Sequence, residues 1–203
     1  MKRNEQNKAM KEKILQSALE EFSVNSYEKA SMNRICSNGH ISKGIIYHYF
    51  KDKDDLYLEC VENCYQKMMD YYNLHGLNDM KQLNDYMILR MHFFEENPLY
   101  QNLFFQILLN SPDHLLEKIQ VMKNQLDKMN LVFYKNFLSQ FQLRKQVSLD
   151  TAIEFIDLVQ NAYNQFFKQA LSSGEDFHVV VEKHEKMIPE WIDMMLYGII
   201  KEE

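Results

Sequence analysis

The run Ser42-Lys43-Gly44-Ile45-Ile46-Tyr47-His48-Tyr49-Phe50 gathers side chains suited to a polyanion. Lys43 stands four and five positions before Tyr47 and His48, so on a helix all three can share an outward sector. An ammonium group and a phenol hydroxyl are common partners of phosphate oxygens, while an imidazole edge or the apolar Ile45 can meet a base. Gly44 carries no side chain, so the backbone there can come close to a phosphate. The segment Lys51-Asp52-Lys53-Asp54-Asp55 follows at once. It places Lys53 at the start of a further helix, where free N–H groups also favour an anion.

Other residue patterns carry weaker chemistry. Carboxylate-bridged di-metal bundles need paired Glu-x-x-His motifs, and Glu175-Asp176-Phe177-His178 is a lone match at a helix start. Cys60 and Cys64 stand four apart and could bind a soft metal or sense oxidation, although packed neighbours have the same spacing. His92 and Glu96 share an i, i+4 spacing with many chance helical pairs. No Gly-rich phosphate loop or nucleophile elbow is present, and nothing asks for a cofactor. A helical-bundle metal or redox enzyme and a helical adaptor protein are therefore the alternatives to a nucleic-acid binder. DNA affinity that falls steeply with salt separates the last of these from the others.

The elements that must position the Lys43 segment are helical. Met10, Ile14, Ala18 and Phe22 recur every fourth residue, predicting a first helix from Gln6 to Ser23. Ser31 is an N-cap for a short second helix, Met32 to Asn38, which also brings Asn33 and Arg34 into the candidate interface. Gly39-His40 breaks that helix, Ser42 caps a third that ends near Phe50, and Asp52 caps a fourth with acidic residues in its first turn. A tight turn between two short helices is the arrangement that sets the second of them in a major groove. The fourth is expected to reach Asn73, and the remaining helices to run from Asp79 to Glu96, Pro98 onward, Asp113 to Phe141 with Ser111 as cap, Ser148 to Leu171, and Phe177 to Ile200.

Bulk properties agree with this organisation. Five Gly and three Pro in 203 residues are too few turn signals for an all-β chain. The 46% apolar and 26% charged content is globular rather than disordered. The net charge of −6 hides an asymmetry, because residues 1–53 hold 10 Lys/Arg against 6 Asp/Glu whereas residues 54–203 hold 13 against 23. A basic amino-terminal segment on an acidic body is a hint of nucleic-acid binding. Three cysteines with no C-x-x-C point to a reducing compartment. MKRNEQNKAMKEK lacks a signal-peptide core, and no apolar run reaches the roughly 18 residues of a membrane span, so the expectation is a soluble cytoplasmic protein without a membrane partner.

From Ile14 to Leu56 the pattern is specific. Ile14-Leu15…Ala18…Phe22, Ser31…Ile35-Cys36, Ser42-Lys43-Gly44…Tyr47-His48-Tyr49-Phe50 and Lys51-Asp52-Lys53…Leu56 resemble the DNA-binding domain of the TetR family of transcriptional regulators. The resemblance implies an all-α fold of about nine helices. A helix-turn-helix domain at 1–53 would be joined to a larger helical ligand-binding and dimerisation domain at 54–203. It implies a DNA-binding regulator, commonly a repressor released by a small ligand, acting as a homodimer on a near-palindromic double-stranded operator. The DNA-binding residues would be Ser31, Asn33, Arg34, Ser42, Lys43, Gly44, Ile45, Tyr47, His48 and Lys53. Tyr47 would press on the phosphate backbone while Tyr49 and Phe50 lock the reading helix in place. The family usually has Ala-Gly-Val in the turn, where this chain has Gly39-His40-Ile41. His would then occupy the positive-φ position, which it tolerates better than most residues.

The body supports the same reading. Ala152, Ile156, Val159, Tyr163, Phe166 and Ala170 alternate spacings of four and three, a seam suited to helix packing. Met187, Trp191 and Met195 continue it on the last helix, with Gly198 permitting a close approach. The expected dimer residues are Ile156, Val159, Tyr163, Phe166, Met187, Trp191 and Met195, and the competing role for these two helices is to cover a monomer's core. Tyr65, Met68, Met69, Tyr72 and Met91 are adaptable apolar side chains, as are Phe94, Phe105, Met122, Met129 and Phe133. Any one of them serves core packing equally well. Together they suit an apolar, aromatic-lined cavity for a small apolar or aromatic ligand.

Overall fold

The computed structural model describes residues 2–199, and the side chains of 4–196. Its described residues form nine α-helices: α1 (Lys2–Val24), α2 (Met32–Asn38), α3 (Lys43–Tyr49), α4 (Lys53–Leu74), α5 (Leu83–Glu96), α6 (Pro98–Asn110), α7 (Leu116–Leu138), α8 (Leu149–Ser172) and α9 (Phe177–Ile199). The all-α class is as expected. The end expected for the last helix at Ile200, and the close approach at Gly198, lie outside the described residues and side chains respectively.

Most boundaries follow local chemistry. The Ser31 hydroxyl accepts from the Asn33 amide and opens α2, and the Ser148 hydroxyl accepts from the Thr151 amide and opens α8. Pro98 sits in the first turn of α6, where its missing N–H costs nothing. Several boundaries differ from the sequence pattern, among them the end of α7 at Leu138 rather than Phe141. α1 begins a turn earlier than Gln6, because residues 2–5 contain no breaker. α5 begins at Leu83 rather than Asp79, because Gly76 at φ 73 starts a 3-10 turn, Leu77–Asp79, followed by extended chain at Met80. Ser111 caps no helix start. It ends α6 with its hydroxyl on the Ile107 carbonyl at 2.5 Å, and a 3-10 turn, Asp113–Leu115, precedes α7.

By contact density the residues divide into two compact units. One holds residues up to Tyr71 together with Arg90–Leu126, and the other holds Tyr72–Leu89 together with Asp127 onward. In the first unit Ile14, Ala18 and Phe22 of α1 are fully buried, as are Ile35 of α2, Ile46 of α3 and Leu56 of α4. The four-residue repeat of α1 is thus the inner stripe of a small core. In the second, α8 and α9 pack through Ile156, Tyr163, Phe167, Val180 and His184, all buried. The Tyr163 hydroxyl donates to the His184 carbonyl, and its ring lies 4.9 Å from that of Trp191. Stacked rings of Tyr86 and Phe133, 4.7 Å apart, tie α5 to α7 in the same unit.

Candidate nucleic-acid interface

α3 has seven residues, too few to be stable alone. It is held by Ile46, its one buried residue, and by Phe50 immediately after it, exposed to only 2%. Burying each is worth about 1.5–3 kcal/mol. Apart from Tyr49, the other residues of α3 face outward. Lys43, Gly44, Ile45, Tyr47 and His48 are exposed, Tyr47 to 45%, and the Lys43 ammonium hovers 5.9 Å from the Tyr47 ring. Ser42 occupies the N-cap position without its hydroxyl closing the cap. Tyr49 is half-buried, with its ring 5.3 Å from that of His48.

The turn before α3 explains the displaced glycine. His40 takes φ 48, so it does occupy the left-handed position, and the Ile41 amide reaches back to the Cys36 carbonyl at 2.9 Å. Gly39 is ordinary in φ but has no room. A Cβ there would lie 2.8 Å from Ile41 Cδ1, 2.9 Å from Ser17 Oγ and 3.0 Å from Ser17 Cβ. Ser17 cannot easily yield, because it is buried in α1 with its hydroxyl on the Ile35 carbonyl at 2.8 Å. Gly44 is the reverse case: a Cβ there would meet nothing within 4 Å. Gly39→Ala should therefore destabilise the protein by about 1–3 kcal/mol through overpacking. Gly44→Ala should leave stability unchanged or raise it by up to about 1 kcal/mol. Thermal unfolding of the two variants measures the opposite signs.

Two basic side chains expected at the interface have their charged heads engaged within the chain. Arg34 pairs with the buried carboxylate of Glu21, at 2.8 Å from Nε and 2.6 Å from Nη2, and also donates to the Lys29 carbonyl. Glu21 accepts the Ser31 amide at 2.8 Å as well, so a single carboxylate fixes the start of α2. Lys53 Nζ donates to the carbonyls of Tyr27 at 2.8 Å and Ala30 at 3.3 Å, and lies 4.0 Å from the centre of the Tyr27 ring. The physical reason is that the loop between α1 and α2 turns its carbonyls away from any helix, and they need donors. Sequence spacing shows none of this, since Glu21 lies 13 residues from Arg34 and Tyr27 lies 26 from Lys53. Lys51 stays exposed beside α3, and Asn33 is exposed on α2.

The start of α4 is pinned further. Asp52 accepts the Asp55 amide and so caps the helix start, and Asp55 accepts the Lys51 amide, both at 2.9 Å. Asp54 accepts from the Tyr27 hydroxyl and lies 3.1 Å from His114 Nε2. The Tyr27 hydrogen bond holds the Asp54 carboxyl below its ordinary range against the opposing effect of burial, with His114 and Lys118 adding to the lowering. Burial, and then Asp54, push the Tyr27 phenol up. His114 and Tyr27 are partners that no local motif announces.

The competing chemistries have structural explanations. Burial pushes both the Cys60 and Cys64 thiols up, which keeps them protonated and unreactive. Glu175 pairs with Lys183 at 2.7 Å, and Asp176 caps α9 by accepting the His178 amide at 2.9 Å. Among the described residues no three His, Cys, Asp or Glu side chains converge as a metal site. No helix of the described residues is long and apolar enough to cross a membrane.

The residues expected in a ligand cavity fall in both units. In the first, Tyr65, Met68, Met69, Phe94 and Phe105 are buried, Met122 is half-buried and Met91 is 48% exposed. In the second, Tyr72 and Phe133 are buried and Met129 is half-buried. The expected dimer residues separate as well. Ile156, Tyr163 and Met195 are buried within the chain, Val159, Met187 and Trp191 are half-buried, and Phe166 is 53% exposed.

A short helix seated by Ile46 and Phe50, entered through a tight turn and offering an exposed basic and aromatic row, defines a helix-turn-helix DNA-binding protein. Residues 14–60 match the profile described as bacterial regulatory proteins, tetR family. This segment is a DNA-binding domain of the kind that tetR-family bacterial regulatory proteins carry. It is 25% identical over 158 residues to the biofilm operon icaADBC HTH-type negative transcriptional regulator IcaR of Staphylococcus epidermidis, covering 74% of this chain and 78% of that one. The IcaR of Staphylococcus aureus strain Newman is 24% identical over 179 residues, covering 83% and 92%. Among solved structures, a TetR family transcriptional regulator from Chloroflexus aurantiacus J-10-FL superposes with a TM-score of 0.60 at 18% identity, covering 96% of this chain and 95% of that one. FadR from Bacillus subtilis, in complex with stearoyl-CoA, superposes with a TM-score of 0.54 at 14% identity, covering 92% and 98%. The family and these relatives are regulators rather than enzymes.

Proposed function

We propose that this regulator is a repressor that binds a near-palindromic operator as a homodimer in the cytoplasm and is released by a small apolar or aromatic ligand. The observation that carries the DNA half of this reading is the seven-residue α3, whose one buried residue is Ile46, so that Lys43, Gly44, Ile45, Tyr47 and His48 are left for a duplex. Lys43 and Tyr47 hold phosphates, and Ile45 and His48 reach base edges. Ser42 and Asn33 add neutral donors, Gly44 lets a phosphate come close, and Ser31, Arg34 and Lys53 set the frame. The repressor assignment draws on IcaR, named a negative regulator in both staphylococcal relatives.

A second apolar face on α8 supports the dimer. Phe155, Leu158 and Phe166 are 40%, 66% and 53% exposed, and with Ala162 they form one stripe on the side of α8 away from Ile156 and Tyr163. On α9, Met194 is 63% exposed, with Trp191 half-buried one turn before it. A twofold pair joined through these faces presents two α3 helices to half-sites about one helical turn apart, or a multiple of that. A ligand that favours the conformer with mis-spaced reading helices releases DNA with a differential affinity of only a few kcal/mol. The rich Met and aromatic content of the interior favours an apolar ligand, and FadR, of similar fold, holds the long acyl chain of stearoyl-CoA.

The test is a titration of the DNA upstream of the protein's own gene at several salt concentrations, with sedimentation of the free protein. A dimer whose affinity falls steeply with salt is expected. A monomer that ignores this DNA at low ionic strength rejects the proposal.

A further inference from the structure

The inner stripe of α1 outlasts the core it serves. Phe22, Ala18 and Ile14 are fully buried, and Met10, one turn earlier, is half-buried. The next positions on that stripe are amides, Gln6 and Asn7, both exposed. They lie about 10–12 Å along the helix from Ile14, ahead of the residues 14–60 that match the family profile. At that level the stripe faces α3. The Tyr49 hydroxyl donates to Asn7 Oδ1 at 3.4 Å. Between the two helices is an open recess of about 450 Å³. Gln6, Asn7 and Met10 form its α1 wall, and Gly44, Ile45 and His48 lie on its α3 wall. The recess is therefore continuous with the reading surface.

We propose that Gln6 and Asn7 hold a phosphate of the operator duplex beside the groove that α3 enters, so that α1 forms a second wall of the interface. Three features lead to phosphate. A stripe that turns from apolar to amide while still facing a neighbouring helix serves a polar occupant rather than core. Tyr49 occupies the acceptor end of the Asn7 amide, which leaves its two N–H donors for an anion. Gly44 on the facing wall has no Cβ to obstruct a backbone lying in the recess. The inference rests on the DNA-binding reading above and extends its footprint.

The experiment uses the full chain and a duplex recovered from a random-sequence pool by repeated selection on it. A Gln6→Ala, Asn7→Ala double variant should bind about tenfold more weakly. Its salt slope should be unchanged, because neutral amides displace no counterions. Ethylation interference should vanish at a phosphate flanking each half-site and persist at those assigned to Lys43. Unaltered affinity and interference overturn the proposal, as does a loss accompanied by a shallower salt slope or by a lower thermal unfolding midpoint. If the Lys43→Ala, Tyr47→Ala variant also binds the selected duplex normally, it is the assignment of α3 that fails.

Discussion

Replacing Lys43 and Tyr47 together by alanine should weaken operator binding by about 100-fold or more, since on the proposed reading each change removes a phosphate partner from both half-sites of a dimer. Tyr47 is 45% exposed and Lys43 is exposed, and α3 keeps its buried Ile46, so helix content and thermal midpoint should stay near wild-type values. The salt dependence identifies the mechanism. Loss of one ammonium per protomer releases fewer counterions, and the slope of log affinity against log salt should fall by about 2 for the dimer. Fluorescence anisotropy from 50 to 200 mM salt, a range over which such contacts are readable, measures both quantities. Wild-type affinity in the folded double variant would remove α3 from the interface.

The Leu158→Glu, Phe166→Glu variant should convert the protein into a folded monomer. Both residues are more than half exposed in the single chain, and they stand eight positions apart on one face of α8. A carboxylate at each would face its twofold neighbourhood, where desolvation and like-charge repulsion oppose association. Ile156, Tyr163 and Phe167, about a third of a turn around the helix, remain buried against the chain's own core, so the fold should persist. Operator affinity should drop by about 100-fold or more, because the second half-site no longer benefits from a high effective concentration. Sedimentation velocity together with the DNA titration checks the two effects. A persistent dimer would place the interface elsewhere.

Local chemistry made much of the fold legible. Ser31, Ser148 and Pro98 announce helix starts through satisfied or absent backbone donors, and Met10 to Phe22 announces a buried stripe through its spacing. The α3 segment was equally readable, because a seven-residue helix has few side chains to divide between core and exterior. α8 was harder. Its sequence seam of Ile156, Val159, Tyr163 and Phe166 lies between two faces, one turned to its own core and one outward. Spacing alone does not say which of these residues turn inward, since Tyr163 and Phe166 lie only about 60° apart around the helix.

The amino-acid sequence by itself determined that this chain is helical, and the resemblance carried by Ser42 to Phe50 implied the reading helix and the left-handed turn position of His40. Those properties reside in short runs, where capping, propensity and period act between near neighbours. Only the tertiary structure decided that Arg34 and Lys53 brace the loop between α1 and α2, that Gly39 is required by Ser17, and that the amides of α1 stand beside α3. Each depends on groups more than ten residues apart meeting within a few ångströms, and local periodicity carries no information about that.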